Sequence, residues 1–333
     1  MPKLREYQTT AIDKIRNEFA KGKKKVLLVA PTGSGKTVIA SSIIDQAVNK
    51  GKSCMFVAHR RELVMQCSRK LSDFDIFHGV LMANKSETEE ARVQVASVQT
   101  FTARKDKTFF NKPKADLIIL DEAHRSVSNS FQELIKEYPE SYIIGLTATP
   151  CRSDGRGLGN IYDELVEASS IKELINQGYL VPNRILAPTV PDLKDIKILG
   201  GDYEKKSLDK KMNTPKLIGD IVTHWQLFGE NRPTVVFASS INHSRQIAKM
   251  FNNFNIPAGH IDGVMPELER EQQLNDLDTG KIKVLCNCQV LTEGWDQPKV
   301  SCVIIARPTR SYVMYLQMVG RSLRPAPNKK DTL

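Results

Sequence analysis

Val26-Leu-Leu-Val-Ala-Pro-Thr-Gly-Ser-Gly-Lys-Thr37 decides how the rest of the chain is read. Val26 to Val29 is an apolar run without polar alternation, the pattern of a strand buried on both faces. Ala30 to Thr37 fits a phosphate-binding loop, with Ala30 where the usual pattern has glycine. Val38 to Val48 then carries helical spacing, so the loop lies between a strand and a helix N-terminus. Gly33 and Gly35 have no Cβ, which lets backbone N–H groups turn inward as an anion nest. The helix start adds its unpaired N–H groups and positive end. Thr32, Gly33, Ser34 and Gly35 are thus the expected phosphate cradle. Lys36 supplies a point charge for the β- and γ-phosphates, and the Thr37 hydroxyl a ligand for Mg²⁺.

Working outward, Leu4-Arg5-Glu6-Tyr7-Gln8 opens a helix running to about Phe19, with Ile12, Ile15 and Phe19 on one face. Gln8 alone would be an exposed helix residue; upstream of a phosphate loop its amide suits the donor and acceptor edge of adenine. Cys54 to Ala58 is a second strand, and His59 and Arg60 follow its C-terminal end, where loops of parallel sheets line a crevice. Val93 to Ala96 is a third, followed by Ser97-Val-Gln99-Thr100, polar side chains suited to sugar-phosphate contacts or to an ordinary turn. Leu117 to Leu120 is an apolar strand ending in Asp121 and Glu122. Asp121 fits an acid that holds Mg²⁺ through its water shell, and Glu122 a general base for an attacking water. The same pair would also cap a helix. Ile143 to Thr147 is a further strand, ending in the paired hydroxyls of Thr147 and Thr149.

At 333 residues the chain suits two domains, each with its own core. A net charge of +10 and pI near 9.2 point to a polyanionic partner, though only as a compositional signal. No apolar run approaches a membrane span and Met1-Pro-Lys-Leu-Arg5 has no signal-peptide core, so the expected location is cytoplasmic, without membrane contact. Of the six cysteines only Cys286 and Cys288 are close-spaced; they lie in an apolar run without a second ligand pair, which reads as free thiols.

These motifs, in this order, carry a resemblance. Gln8, Ala30 to Thr37, Asp121-Glu-Ala-His124 and Thr147-Ala-Thr149 look like the ordered motifs of superfamily 2 helicases. The second half supplies Thr234-Val-Val-Phe-Ala-Ser-Ser240, Leu291-Thr-Glu-Gly-Trp-Asp296 and Gln317-Met-Val-Gly-Arg-Ser-Leu-Arg324, which resemble the fourth, fifth and sixth motifs. Ala58 to Val64, Gly178 to Pro182 and Arg307-Pro-Thr309 are similar to the RadD-like bacterial and phage DNA-repair helicases. Ala123 departs from that group, where Cys is expected before His. The chain also ends nine residues past Arg324, where that group continues, which reads as a truncated or minimal member.

The resemblance implies two RecA-like doubly wound α/β domains, residues 1–168 and 169–333, with ATP and Mg²⁺ in a cleft between them. It assigns Arg5, Gln8, Gly294 and Asp296 to nucleotide binding and Lys36, Asp121, Glu122, His124, Gln317, Arg321 and Arg324 to hydrolysis. It places His59, Arg60, Gln99, Thr100, Ser240, His243 and Thr292 along a nucleic-acid strand. The implied partners are single-stranded or branched DNA, or RNA, together with a single-strand-binding or other repair protein, in a bacterial or phage-infected cell. Unwinding, duplex translocation and an ATP-gated clamp all use these motifs.

The second half alternates strands near Val235 to Ala238, Ile256 to Ile261, Ile282 to Cys286 and Val300 to Ile305 with helices, the pattern of a second parallel sheet. Ser169 to Val181 reads as a helix and a strand entry. Thr189 to Lys211, polar and rich in Lys and Asp, reads as a solvated excursion. Gln317, Arg321 and Arg324, spaced by four and three residues, are expected on one face of a single helix.

Overall fold

A computed structural model of the chain describes residues 3–333 except 84, 89, 152–155, 189 and 293, with the backbone alone of 85–87. The described chain forms two compact units, the first through Ile171 and the second from Lys172 to Leu333. The first is built on strands β1 (Lys25–Val29), β2 (Cys54–Ala58), β3 (Gly79–Met82), β4 (Lys85–Glu87), β5 (Val93–Ser97), β6 (Leu117–Leu120), β7 (Tyr142–Thr147) and β8 (Glu164–Glu167). They form one sheet in the order β4-β3-β5-β2-β6-β7-β1-β8. Only β4 pairs antiparallel, so the C-terminal ends of the other seven share one edge. Every residue of β2 and β6 is buried, as their unbroken apolar runs require. One face packs on Phe101, Phe131 and Tyr138, with the Phe101 and Tyr138 rings 5.8 Å apart.

The second unit holds a hairpin, β9 (Ile198–Leu199) with β10 (Asp202–Tyr203), and an all-parallel sheet. That sheet contains β11 (Thr234–Phe237), β12 (Ala258–Ile261), β13 (Val284–Asn287) and β14 (Cys302–Ile305), in the order β12-β13-β11-β14. Alternate residues of β11 enter opposite cores: Val236 joins Trp225, Ile247 and Phe251, whereas Val235 and Phe237 join Leu277, Leu285 and Met318. Trp225 packs edge-on against Phe251 at 5.6 Å, and its Nε1 donates to the Thr234 hydroxyl at 2.7 Å.

Three expectations are corrected. The helix after the first unit spans Ile171–Asn176, but Tyr179 to Val181 is not a strand; the Leu180 N–H instead closes the helix end on the Leu174 carbonyl. The segment from 190 to 212 is not a solvated excursion. It folds into the β9–β10 hairpin and the helix Lys205–Met212, and buries Ile196, Leu208 and Met212 in a small core of its own; Thr189 lies outside the described residues. Finally, the helix Tyr312–Val319 ends before the arginines, with Gly320 at its C-cap. Arg321 and Arg324 therefore leave from the following turn rather than from the helix face that carries Gln317. No helix among the described residues is long and apolar enough to cross a membrane.

Candidate nucleotide and nucleic-acid site

In the first unit the loops after β1, β2, β5, β6 and β7 emerge along one sheet edge, because those strands are parallel. The phosphate loop after β1 turns through Gly33 (φ 86°) and Gly35 (φ 82°) into the helix Lys36–Val48. Both glycines sit in left-handed backbone, the conformation that turns N–H groups into a concave nest. The loop is held from behind by the first helix, Glu6–Ala20. Gln8 is 3% exposed; its Nε2 donates to the Ser34 carbonyl at 3.1 Å and its Oε1 accepts the Arg5 N–H at 3.0 Å. The Tyr7 hydroxyl donates to the same Ser34 carbonyl. Gln8 thus has a mechanical role that motif reading did not supply, and Tyr7 is a site residue it missed. Its only signal was an aromatic beside Gln8 at a helix start.

Lys36 lies back along the loop, its Nζ donating to the Ala30 and Pro31 carbonyls at 3.1 and 3.4 Å. Thr37 follows it in the first turn of the helix, half-buried. Strand β7 separates β1 from β6, so about 10 Å of sheet lies between the phosphate loop and Asp121. The Thr147 to Thr149 turn fills that gap. The Ala30 N–H donates to the Thr147 carbonyl at 2.9 Å, and the Thr147 hydroxyl to the Thr149 carbonyl at 2.8 Å. Asp121 is fixed by its own N–H on the Val57 carbonyl at 2.9 Å, and its Oδ1 accepts the Glu122 N–H at 3.0 Å. Glu122 has φ 50° and ψ 53°, left-handed backbone at a non-glycine residue, and opens a single 3₁₀ turn, Ala123–Arg125. His124 Nδ1 lies 3.4 Å from Glu122 Oε2, and all three of Asp121, Glu122 and His124 are buried. The donor set suits Mg²⁺ with a triphosphate: an N–H nest, an ammonium and a hydroxyl on one loop, and a carboxylate pair at the same edge. The buried Ser34 Oγ, which has no hydrogen-bond partner among the described residues, is a further polar atom of that cradle.

Of the residues expected along a nucleic-acid strand, His59, Arg60 and Gln99 come together. Gln99 Nε2 donates to the His59 carbonyl at 2.9 Å, joining the loop after β2 to the first turn of the helix that follows β5, and Gln99 is exposed. Ser240 caps the helix Ile241–Asn253, its Oγ accepting the His243 N–H at 3.0 Å. Thr100, His243 and Thr292 are corrected, because their side chains turn inward. Thr100 sits on the core side of the helix Val98–Arg104. His243 is fully buried, with Nδ1 2.8 Å from the Ser239 hydroxyl, and burial pushes its imidazole down to about 4. The Thr292 hydroxyl donates to the Gln289 carbonyl at 3.2 Å.

In the second unit the last two motifs form one cluster. The Arg321 guanidinium is 8% exposed and donates to the Trp295 and Thr292 carbonyls. Arg324 pairs with the exposed carboxylate of Asp296. Gly294 turns the intervening loop at φ 73°; Glu293 lies outside the described residues. Gln317 is buried at the last turn of the helix Tyr312–Val319.

Comparison with known proteins accords with this geometry. Residues 1–152 match the family model described as type III restriction enzyme, res subunit, and residues 215–326 match the helicase conserved C-terminal domain. A 51.5 kDa protein of a Lactococcus phage (isolate 7-9) is 32% identical, over 90% of this chain and 62% of its own length. A Saccharomyces cerevisiae protein, provisionally named ATP-dependent helicase IRC3, is 31% identical over 97% of this chain and 50% of its own. The chain therefore spans about half to three-fifths of the length of these relatives. Among solved structures, the ATP-dependent type ISP restriction-modification enzyme LlaBIII bound to DNA superposes with a TM-score of 0.72 at 19% identity. That match covers 99% of this chain and 27% of the enzyme. Both units are RecA-like in fold, and the paired domain matches in this order make the chain a member of the superfamily 2 helicases.

Proposed function

We propose that the chain is an ATP-driven motor on nucleic acid, and that its track is DNA. The observation that carries this reading is the convergence of the phosphate loop, the Thr147 to Thr149 turn and Asp121–Glu122 on one edge of adjacent parallel strands. Gln8 and Tyr7 hold the loop in the shape in which its N–H groups face a phosphate chain. Lys36 neutralises phosphate charge, and Thr37 with Asp121 would hold Mg²⁺, which withdraws charge from the phosphate oxygens when bound. Glu122 takes the proton of an attacking water, and His124 steadies its carboxylate. His59 and Arg60, after β2, and Gln99, in the first turn of the helix after β5, contact the sugar-phosphate backbone and so read no sequence. The choice of DNA is supported by the restriction-enzyme family of the first domain and by the DNA-bound restriction-modification enzyme that shares the fold.

The deciding experiment compares ATP turnover with single-stranded DNA, duplex DNA and RNA. DNA is expected to stimulate turnover most. Lys36→Ala is expected to abolish turnover, and Glu122→Gln to lower it by about 10²- to 10⁴-fold while ATP still binds. Turnover indifferent to nucleic acid, or unchanged in Lys36→Ala, refutes the reading. Forked-duplex unwinding beside triplex displacement then separates a helicase from a duplex translocase.

A further inference from the structure

The segment 197–211 contains five lysines and three carboxylates, nearly balanced as sequence. Folding separates the two signs. Asp202 turns inward: its Oδ1 accepts the Arg310 N–H at 2.8 Å, and its Oδ2 accepts the Thr309 hydroxyl at 2.9 Å and Arg307 Nη2 at 3.4 Å. Glu204 is consumed as the N-cap of the helix Lys205–Met212, accepting the N–H groups of Lys206 at 3.2 Å and Ser207 at 2.7 Å. Asp209 accepts the Ser239 hydroxyl at 2.8 Å. Lys205, Lys206, Lys210 and Lys211 are left exposed, and among the described residues they make no ion pair. Leu208 and Met212 pin the same helix from beneath through the small core with Ile196.

The two inward carboxylates also fix where this charge lies. Ser239 follows β11, and Arg307 to Arg310 follow β14, so both anchors stand at the C-terminal edge of the second sheet. That is the edge where ligands of open parallel sheets bind. It is also where Ser240 opens its helix. We propose that Lys205, Lys206, Lys210 and Lys211 form a phosphate-contact surface for the nucleic-acid track, locked onto the second sheet by Asp202 and Asp209. This rests on the nucleic-acid motor reading and assigns it a contact surface outside the helicase motifs. A point-charge ammonium on a fixed helix reads backbone charge, not bases, so the surface contributes affinity without sequence preference.

The test replaces the four lysines with glutamine and measures binding of a fluorescent oligo-dT across a salt series. Four lost phosphate contacts should flatten the slope of log K against log salt by about 3 for single strands, with affinity at low salt falling roughly 10- to 100-fold. A matched variant, Lys21, Lys23, Lys50 and Lys52 each to glutamine, removes the same charge at the opposite edge of the first sheet and should keep the parent slope. Equal losses in both variants, or a parent slope in the first, overturn the surface while leaving the motor reading intact. A parent that binds no nucleic acid overturns the motor reading itself. Amine acetylation of the unmodified chain gives an answer independent of any variant's folding: oligo-dT should protect residues 205–211, and unchanged labelling there refutes the proposal.

Discussion

Arg321 offers the sharpest separation of two roles that motif reading merges. Its guanidinium is buried and donates to the carbonyls of Thr292 and Trp295, so it braces the loop that carries Gly294 and Asp296. A hydrogen bond from a charged donor contributes about 1.5–3 kcal/mol, and removal of that donor leaves two carbonyls short of a partner. Arg321→Ala should therefore destabilise the second unit by about 3–5 kcal/mol, out of a total of about 5–15 kcal/mol for a domain. Arg324 is different, because its ion pair with Asp296 is only part-buried, the two side chains being 21% and 45% exposed. An ion pair partly open to water contributes about 1 kcal/mol and the largely buried Arg324 stem adds packing, so Arg324→Ala should cost about 1–2 kcal/mol, clearly less than Arg321→Ala. Both tryptophans, Trp225 and Trp295, lie in the second unit, so fluorescence during urea unfolding reports that unit alone. With an m-value of about 2 kcal/mol/M, Arg321→Ala should lower the midpoint by about 2 M. Arg321→Lys should recover part of the loss, since an ammonium is a point charge without the planar fork. A parent midpoint in Arg321→Ala, together with collapsed ATP turnover, would refute the brace and return Arg321 to direct action on phosphate.

Gly35→Ala should lose both stability and nucleotide affinity. Residue 35 has φ +82°, costing about 1–2 kcal/mol for an L side chain, and an added Cβ would lie 2.7 Å from Gln8 Nε2. A fluorescent ADP analogue should bind roughly tenfold or more weakly, and parent affinity would refute the account. Burial of His243 makes stability depend on pH in a stated direction. Its folded pKa, about 4, lies below the unfolded 6.5, so between these values the unfolded chain binds more protons. Stability from neutral His243 is complete above pH 6.5 and is lost as pH falls toward 4. The difference in unfolding midpoint between the parent and His243→Asn should therefore change across that window, and a constant difference would contradict it.

Much of the fold was legible because its central strands are buried on both faces. Cys54–Ala58 and Leu117–Leu120 occupy the bounds their apolar runs predict. The edge strand Glu164–Glu167 was not foreseen, since only Val166 of its four residues is buried. Motif spacing located the site loops but not the direction of their side chains. Thr100, His243 and Thr292 occupy expected positions and face inward, because a short polar residue after a strand can cap, anchor or contact a ligand with one composition. The segment from 190 to 212 was misread for a related reason. Composition counts Asp202 and Asp209 as solvated charge, whereas their partners Arg307, Thr309, Arg310 and Ser239 lie at least 30 residues away in sequence. The helix ending at Val319 was extended too far because the spacing of Gln317, Arg321 and Arg324 outweighed Gly320, a poor helix-interior residue that marks the C-terminus.

Glu122 places stability and activity in opposition at one residue. Its left-handed backbone, φ 50° and ψ 53°, disfavours an L side chain by about 1–2 kcal/mol, and glycine would hold the same turn without that strain. Glycine would also delete the carboxylate proposed as the general base. The residue that best suits the backbone at 122 is thus one that cannot serve the reaction, a local case of the trade-off between robustness and function. Variants of this chain enriched for thermal tolerance alone would drift toward glycine there, and the most heat-resistant among them would be an inert motor.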